Sequence, residues 1–180
     1  MSGFVCDAYD YPTKIFKVIR QSDGIPFALR RVDKLRTTTE ITQVVKKAWA
    51  RIQHVGIVPL CDVFMKSGAV FFLHQYMPGA KSVKELYLNN TAGGLLPEHF
   101  LWDVAISLTS SLFAIHATQM ACRCVSSSRI LITGRGRVWI GNVGITDVLE
   151  FESRKSLVEL QREDLHGMGM YCSFFFISGI

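Results

Sequence analysis

Few side chains in this sequence are of a kind and spacing that could do chemistry, and they gather in two places. One is a run of cations: Arg30, Arg31, Lys34, Arg36, Lys46 and Lys47. Arginine holds its charge at physiological pH and grips phosphate as a planar fork. The run could therefore meet an RNA backbone, although a solvated basic face accounts for the same charges. The other place is the stretch from Cys122 to Gly144, CRCVSSSRILITGRGRVWIGNVG. Its Cys122-x-Cys124 pair could ligate a metal, but no second Cys or His pair stands at zinc-site spacing, so both read as small loop residues. His74 lies between apolar residues, where a histidine is more often packed than reactive, and it is given no chemical role.

Bulk properties bound what these residues can serve. A net charge of +5 permits a phosphate-rich partner without demanding one. Hydrophobic residues make up 49% of 180, enough to core one or two lobes. No apolar run is read as reaching the ~18 residues of a membrane span, and the opening MSGFVCDAYDYP has no basic or apolar region of a secretory signal. Five cysteines, an odd number without framework spacing, favour free thiols in a reducing compartment. The sequon Asn89-Asn90-Thr91 carries no meaning there.

The elements that must position the chemistry follow from periodicity and turn signals. Residues 13–20 and 26–33 read as strands about the turn Ser22-Asp23-Gly24. A capping box with Thr37 at N-cap and Glu40 at N3 opens a helix whose Ile41, Val44, Val45, Ala48, Trp49 and Ile52 share one face. Residues 59–65 and 69–76 form a hairpin through Lys66-Ser67-Gly68, residues 82–88 a short helix, and Gly93-Gly94 a break. A long helix begins with Pro97 at N1 and runs to about Ala117, burying Leu101, Val104, Ala105, Leu108, Leu112 and Ile115. Residues 129–133 and 137–141 are short strands joined through Gly134-Arg135-Gly136. After a polar linker, 150–155, a final helix spans roughly 156–169. Residues 171–180 read as an apolar tail at which a larger lobe is cut short.

The central hairpin resembles the catalytic hairpin of a protein kinase, where one loop carries His-Arg-Asp and the next Asp-Phe-Gly. Aligned on Ile130-Leu131-Ile132, the first motif reads Cys122-Arg123-Cys124, with Arg129 in the place of the metal-binding Asn. Aligned on Gly144, the second reads Asn142-Val143-Gly144. The resemblance thus puts Cys124 at the catalytic base and Asn142 at the magnesium carboxylate, which leaves phosphoryl transfer without either. Phe27-Ala28-Leu29-Arg30 resembles the Val-Ala-Ile-Lys strand, so Arg30 stands for the lysine that grips nucleotide phosphates. The helix glutamate that pairs with that lysine falls at Val45, counted back from His54-Val55-Gly56-Ile57-Val58, which resembles His-Pro-Asn-Ile-Val. The run from His74 to Gly79 resembles the hinge whose backbone meets adenine, and Asp164-x-x-x-x-Gly169 resembles Asp-x-Trp-Ser-x-Gly. Of the glycine-rich phosphate loop, only Gly3 is present before Val18. The expected fold is α+β, a two-lobed protein-kinase-like (pseudokinase) fold with the large lobe truncated: 1–76 the small lobe, 77–180 a partial large lobe.

Other stretches are not general kinase patterns. Residues 29–32 (LRRV), 143–149 (VGITDVL), 160–165 (LQREDL) and the hinge 75–82 resemble the pseudokinase of the regulatory subunit of the poly(A) nuclease (PAN) deadenylation complex. That resemblance covers residues from Phe16 to about Gly169. It implies a non-catalytic scaffold for shortening mRNA poly(A) tails, in the cytoplasm and P-bodies, that binds ATP without turning it over. The nucleotide site it implies is Arg30, Gln75, Tyr76, Met77, Pro78, Gly79, Ala80, Lys81, Ser82, Ser128 and Arg129, with no metal. Val45, Cys124, Asn142 and Gly144 mark its degenerate motif positions. The partners it implies are the exonuclease subunit, a second copy in a homodimer, and poly(A)-binding protein and poly(A) RNA through regions mostly missing from this sequence; no membrane is implied. Two further readings stay open. One is an active or atypical protein kinase, for which Asp147 is the nearest carboxylate, three residues past Gly144. The other is a basic RNA-binding module built on the cations above.

Overall fold

The computed structural model describes residues 4–5, 11–88, 98–134 and 136–178. Gly3, the sequon, the Gly93-Gly94 break, Pro97 and Arg135 lie outside them. Two compact units interleave along the chain. The first comprises Met1–Arg51, Pro59–Met77 and Gly144–Ser153; the second comprises Ile52–Val58, Pro78–Val143 and Arg154–Ile180.

The first unit is built on a five-stranded antiparallel sheet of order β1-β2-β3-β5-β4. Its strands are β1 (Phe4–Val5), β2 (Thr13–Ile19), β3 (Pro26–Asp33), β4 (Leu60–Lys66) and β5 (Ala69–Gln75). The β4–β5 turn places both Ser67 (φ 51°) and Gly68 (φ 72°) in the left-handed region, the turn whose twist suits a tight hairpin. Helix α1 (Thr39–Trp49) packs against β4. Its N-cap is Thr38, not Thr37: the Thr38 hydroxyl accepts the Ile41 amide at 3.4 Å. The expected apolar face is also rotated. Val44 is 54% exposed while Thr42 is buried, because the Thr42 hydroxyl donates to the Thr39 carbonyl at 2.7 Å and so enters the core already satisfied. A short helix that the sequence did not suggest, α3 (Ile145–Leu149), precedes the expected linker and packs on α1.

The second unit carries a three-stranded sheet, β6 (Lys81–Ser82), β7 (Ile130–Ile132) and β8 (Val138–Ile140), with helices α2 (Glu98–Ala117) and α4 (Leu157–Ser178). Residues Lys84–Leu88, expected as an ordinary short helix, form a π-type turn. Helix α2 has the length and mean hydropathy (1.4 over 18 residues) of a membrane span, contrary to the expectation that no run reaches one. Its Leu101, Val104, Leu108, Leu112 and Ile115 are buried, and it packs on β8 and α4 as the central helix of a folded unit. Ala105 is only half-buried. Helix α4 does not stop at Gly169 but continues to Ser178. Within the helix Gly167 makes a close approach, since a Cβ there would lie 3.3 Å from the Val125 carbonyl.

Candidate functional site

The loop from Cys122 to Arg129 leaves α2 and enters β7, and one carboxylate anchors its start. Asp164 on α4 is only 2% exposed. It accepts the Cys122 amide at 2.6 Å and the Arg123 amide at 2.7 Å, and its third contact is His116 Nε2 at 2.9 Å. Bound this way, Arg123 takes φ +56°, a region few non-glycine residues occupy. Its carbonyl accepts Arg129 Nη1 at 3.3 Å. The Cys122 and Cys124 sulfurs are buried and 3.2 Å apart. The hydrogen bond to Cys124, together with burial, pushes the Cys122 thiol well above the ordinary thiol range, so it is held neutral and is no nucleophile. Among the described residues, no cluster of three His, Cys, Asp or Glu side chains could hold a metal ion.

At the second motif Asn142 has φ +61° and Val143 is buried. Gly144 has φ +79°, and a Cβ there would stand 2.6 Å from Leu60 Cδ2. Asp147, the carboxylate weighed for an active kinase, accepts Trp49 Nε1 at 2.7 Å. It is engaged in holding α3 to α1.

The residues of the implied nucleotide site divide between the units. In the first, Arg30 lies on the central strand, opposite Ile15 and Phe72. It is 5% exposed, with Nη1 3.4 Å from Thr13 Oγ1, which rules out a solvated strand edge. Gln75 is exposed at the end of β5, its amide bound to the Pro59 carbonyl at 3.0 Å. Tyr76 and Met77 are half-buried, and Lys17 Nζ sits 4.6 Å from the Tyr76 ring centroid. Val45, at the place of the helix glutamate, is buried.

In the second unit Pro78 and Gly79 are exposed, Gly79 at φ +68°, and Ala80 is half-buried. Lys81 pairs with Ile132 and Ser82 with Leu131, while the Lys84 amide donates to the Ser127 carbonyl at 2.9 Å. Ser128 and Arg129, just before β7, are both half-buried. Ser82 and Glu85 cap each other: the Glu85 carboxylate accepts the Ser82 amide (2.7 Å) and hydroxyl (2.9 Å), and the Glu85 amide donates back at 3.1 Å. Two surface cavities, of about 650 and 610 Å³, are lined by other residues of the second and the first unit respectively.

The cation run is largely committed. Arg31 pairs with Asp33 and Lys46 with Asp62, both at 2.7 Å, and Arg30 is buried. Half of the set is therefore not free for an RNA backbone.

Sheet, helices and the anchored loop define the class: a protein-kinase-like fold of the pseudokinase kind. The chain resembles the pseudokinase of PAN3. It superposes on the structure of the Neurospora crassa PAN3 pseudokinase mutant with a TM-score of 0.85 at 27% identity, covering 94% of this chain and 45% of that one. For the Drosophila melanogaster PAN3 pseudokinase the TM-score is 0.80 at 25% identity, over 88% and 44%. The pseudokinase domain of BIR2 shares the fold alone, at a TM-score of 0.64 and 16% identity. In sequence the chain is 35% identical over 162 residues to the PAN2-PAN3 deadenylation complex subunit pan3 of Dictyostelium discoideum, across 87% of this chain and 22% of that protein. It is 33% identical over 171 residues to the corresponding Aspergillus niger subunit, across 89% and 26%. The chain thus spans about a quarter of the length of these relatives. No protein-family model matches it.

Proposed function

We propose that this chain is the pseudokinase part of a PAN3-type subunit and acts in a deadenylation complex as a non-catalytic scaffold for mRNA poly(A)-tail shortening. The observation that supports the reading is Asp164 holding the Cys122-Arg123-Cys124 loop by two amides, with a buried thiol, Cys124, at the position the kinase resemblance assigns to the base. A kinase needs a carboxylate there to accept the substrate hydroxyl proton, and a second one to hold magnesium where this chain has Asn142. Adenine recognition needs neither. It rests on hinge backbone groups, so ATP bound without turnover fits residues 75–82, with Arg30, Lys81 and Arg129 for the phosphates. Arg129 replaces a metal ligand with a cation, which repels magnesium and neutralises phosphate directly. An exonuclease partner subunit, homodimerisation, poly(A)-binding protein contact and residence in the cytoplasm and P-bodies belong to the same proposal.

Co-purification tests the scaffold role: the chain, expressed with the exonuclease subunit, is expected to retain it. A radiolabel assay is expected to find no phosphotransfer, and Asn142→Asp alone to restore none, because base, metal site and ion pair act together. Calorimetry is expected to show ATP binding that is insensitive to magnesium and weakened by Arg30→Ala or Arg129→Ala. Turnover by the Asn142→Asp variant overturns the motif placement; magnesium-dependent binding, or two silent arginine variants, overturns the pocket.

A further inference from the structure

For a scaffold it matters only that Cys124 is no carboxylate, and that role gives its neighbour Cys122 nothing to do. Yet the two side chains are 1% and 2% exposed, and their sulfurs lie 3.2 Å apart. Sequence spacing alone does not bring this about. Two residues of extended chain separate their Cα atoms by roughly 6.6–7.2 Å, and a disulfide usually spans no more than about 6.8 Å. Here Arg123, between them, takes φ +56°, in the left-handed region where the chain turns instead of extending. Asp164 holds that turn through the Cys122 and Arg123 amides, at 2.6 and 2.7 Å. On a backbone fixed in this way, the sulfurs need close by only about 1.2 Å to reach bonding distance. No third ligand joins them, since no cluster of three His, Cys, Asp or Glu among the described residues could hold a metal ion.

The geometry points to a reversible oxidation site, at which Cys122 and Cys124 close to a disulfide when the chain meets a hydroperoxide. The hydroperoxide is the oxidant, and the atoms balance in two steps. The Cys124 sulfur attacks a peroxide oxygen, the O–O bond breaks, and the thiol proton leaves with the water or alcohol released. Cys124 is then a sulfenic acid. Until this point its hydrogen bond and burial hold the Cys122 thiol neutral, and oxidation of Cys124 removes that bond. The Cys122 sulfur next bonds to the Cys124 sulfur as the S–O bond breaks, and the Cys122 proton departs with the hydroxyl as water. Two thiols give up two electrons, and one hydroperoxide takes them. An added dithiol reverses the change by exchange. In reducing surroundings the open pair prevails, and disulfides that form there are transient and redox-sensing. The pair lies one residue below the surface, because Arg123 and Val125, on either side of Cys124, are half-buried. An oxidant little larger than water reaches it through a local opening of the loop.

The test treats the whole reduced chain with hydrogen peroxide under native conditions, then unfolds it and alkylates the remaining thiols. Cleavage at acidic residues releases 104–147, whose only cysteines are Cys122 and Cys124. Mass spectrometry is expected to find that peptide lighter by two hydrogen atoms and free of alkyl groups. Dithiothreitol added before alkylation is expected to restore both alkyl groups. Cys122→Ser is expected to strand Cys124 as a sulfenic acid that dimedone traps, and Cys124→Ser to leave Cys122 reduced. The reading on the parent chain stands without these variants, should either fail to fold. The inference is overturned if 104–147 keeps two alkylated thiols after peroxide has oxidised the exposed Cys61. It is equally overturned if either thiol is found joined to a different cysteine, or if both end as sulfinic acids that dithiothreitol does not recover. A dimedone adduct on Cys122 in Cys124→Ser, with none on Cys124 in Cys122→Ser, overturns the order of the two steps.

Discussion

The Asp164 carboxylate receives the Cys122 amide at 2.6 Å across 42 residues of chain. That contact, with the Arg123 amide and His116, makes one buried side chain the anchor of the loop in which a kinase would do its chemistry. Hydrogen bonds to a charged partner contribute about 1.5–3 kcal/mol each, and orphaned buried donors cost more than the bond was worth. Asp164→Ala is therefore expected to lose roughly 3–5 kcal/mol in urea denaturation, a loss characteristic of breaking a buried network. Asp164→Asn keeps one acceptor oxygen and should lose less. A loss of under about 1 kcal/mol for the alanine variant would refute the anchoring role.

Gly144 is fixed by two independent constraints. Its φ of +79° strains any L side chain, and a Cβ would meet Leu60 at 2.6 Å and Trp49 at 3.2 Å. Left-handed strain costs about 1–2 kcal/mol and overpacking about 1–3. Gly144→Ala should then cost roughly 2–5 kcal/mol by chemical denaturation. Gly136 supplies the control, at φ +71° with nothing within 4 Å of its Cβ position. Gly136→Ala should show the strain alone, about 1–2 kcal/mol. Equal losses at both positions would mean that the Leu60 contact relaxes freely.

Local signals made much of this fold legible and failed for identifiable reasons. Residues 26–33 form a strand with the bounds that alternation and flanking turns suggested. The cap of α1 slipped by one because Thr37, Thr38 and Thr39 offer three hydroxyls in a row, and only backbone geometry chooses among them. Counting apolar residues put Val44 inside and Thr42 outside, since a count does not know that a hydroxyl can be satisfied by its own helix. Gly169 suggests a stop in the sequence, but α4 runs through it to Ser178, and a lone glycine inside a helix does not end it. Two capping boxes, at Ser82 and Ser156, carry a visible Ser-x-x-Glu signal in the sequence. Asp164 stood out in the sequence as part of a motif, but its partners lie some 40 residues away, and no spacing rule reveals them.

The Ser156 box sets an expectation for acid. Glu159 accepts the Ser156 amide at 2.7 Å and its hydroxyl at 2.8 Å, and the amide bond first and the hydroxyl bond second hold its carboxyl below the ordinary glutamate value. A carboxyl depressed in the folded state contributes stability that is fully present above its unfolded value and is lost as pH falls through its folded one. The start of α4 should thus weaken on acidification below the ordinary glutamate range. Glu159→Gln should remove that portion of the pH dependence while leaving neutral stability only slightly lower, as expected for an exposed cap. Denaturation midpoints of parent and variant across the acid limb check this: parallel curves would show that the cap does not titrate in the way described.

Trp49 and Asp147 are 98 residues apart in sequence and join the end of α1 to α3 through one hydrogen bond of 2.7 Å. Asp147 is also the carboxylate on which an active-kinase reading would depend, so the two roles can be separated by experiment. Trp49→Phe removes the N–H donor together with part of a buried indole, so it should cost about 2–4 kcal/mol, the lost bond plus a cavity. Asp147→Ala should cost about 1–2 kcal/mol, and the double variant less than the sum of the two, because both delete the same bond. Phosphotransfer should stay at background throughout, with nothing for Asp147→Ala to abolish. Additive losses would mean that the bond contributes nothing to stability. A measurable turnover that disappears in Asp147→Ala while Trp49→Phe retains it would show that the carboxylate acts on a substrate, and the scaffold reading would fall with it.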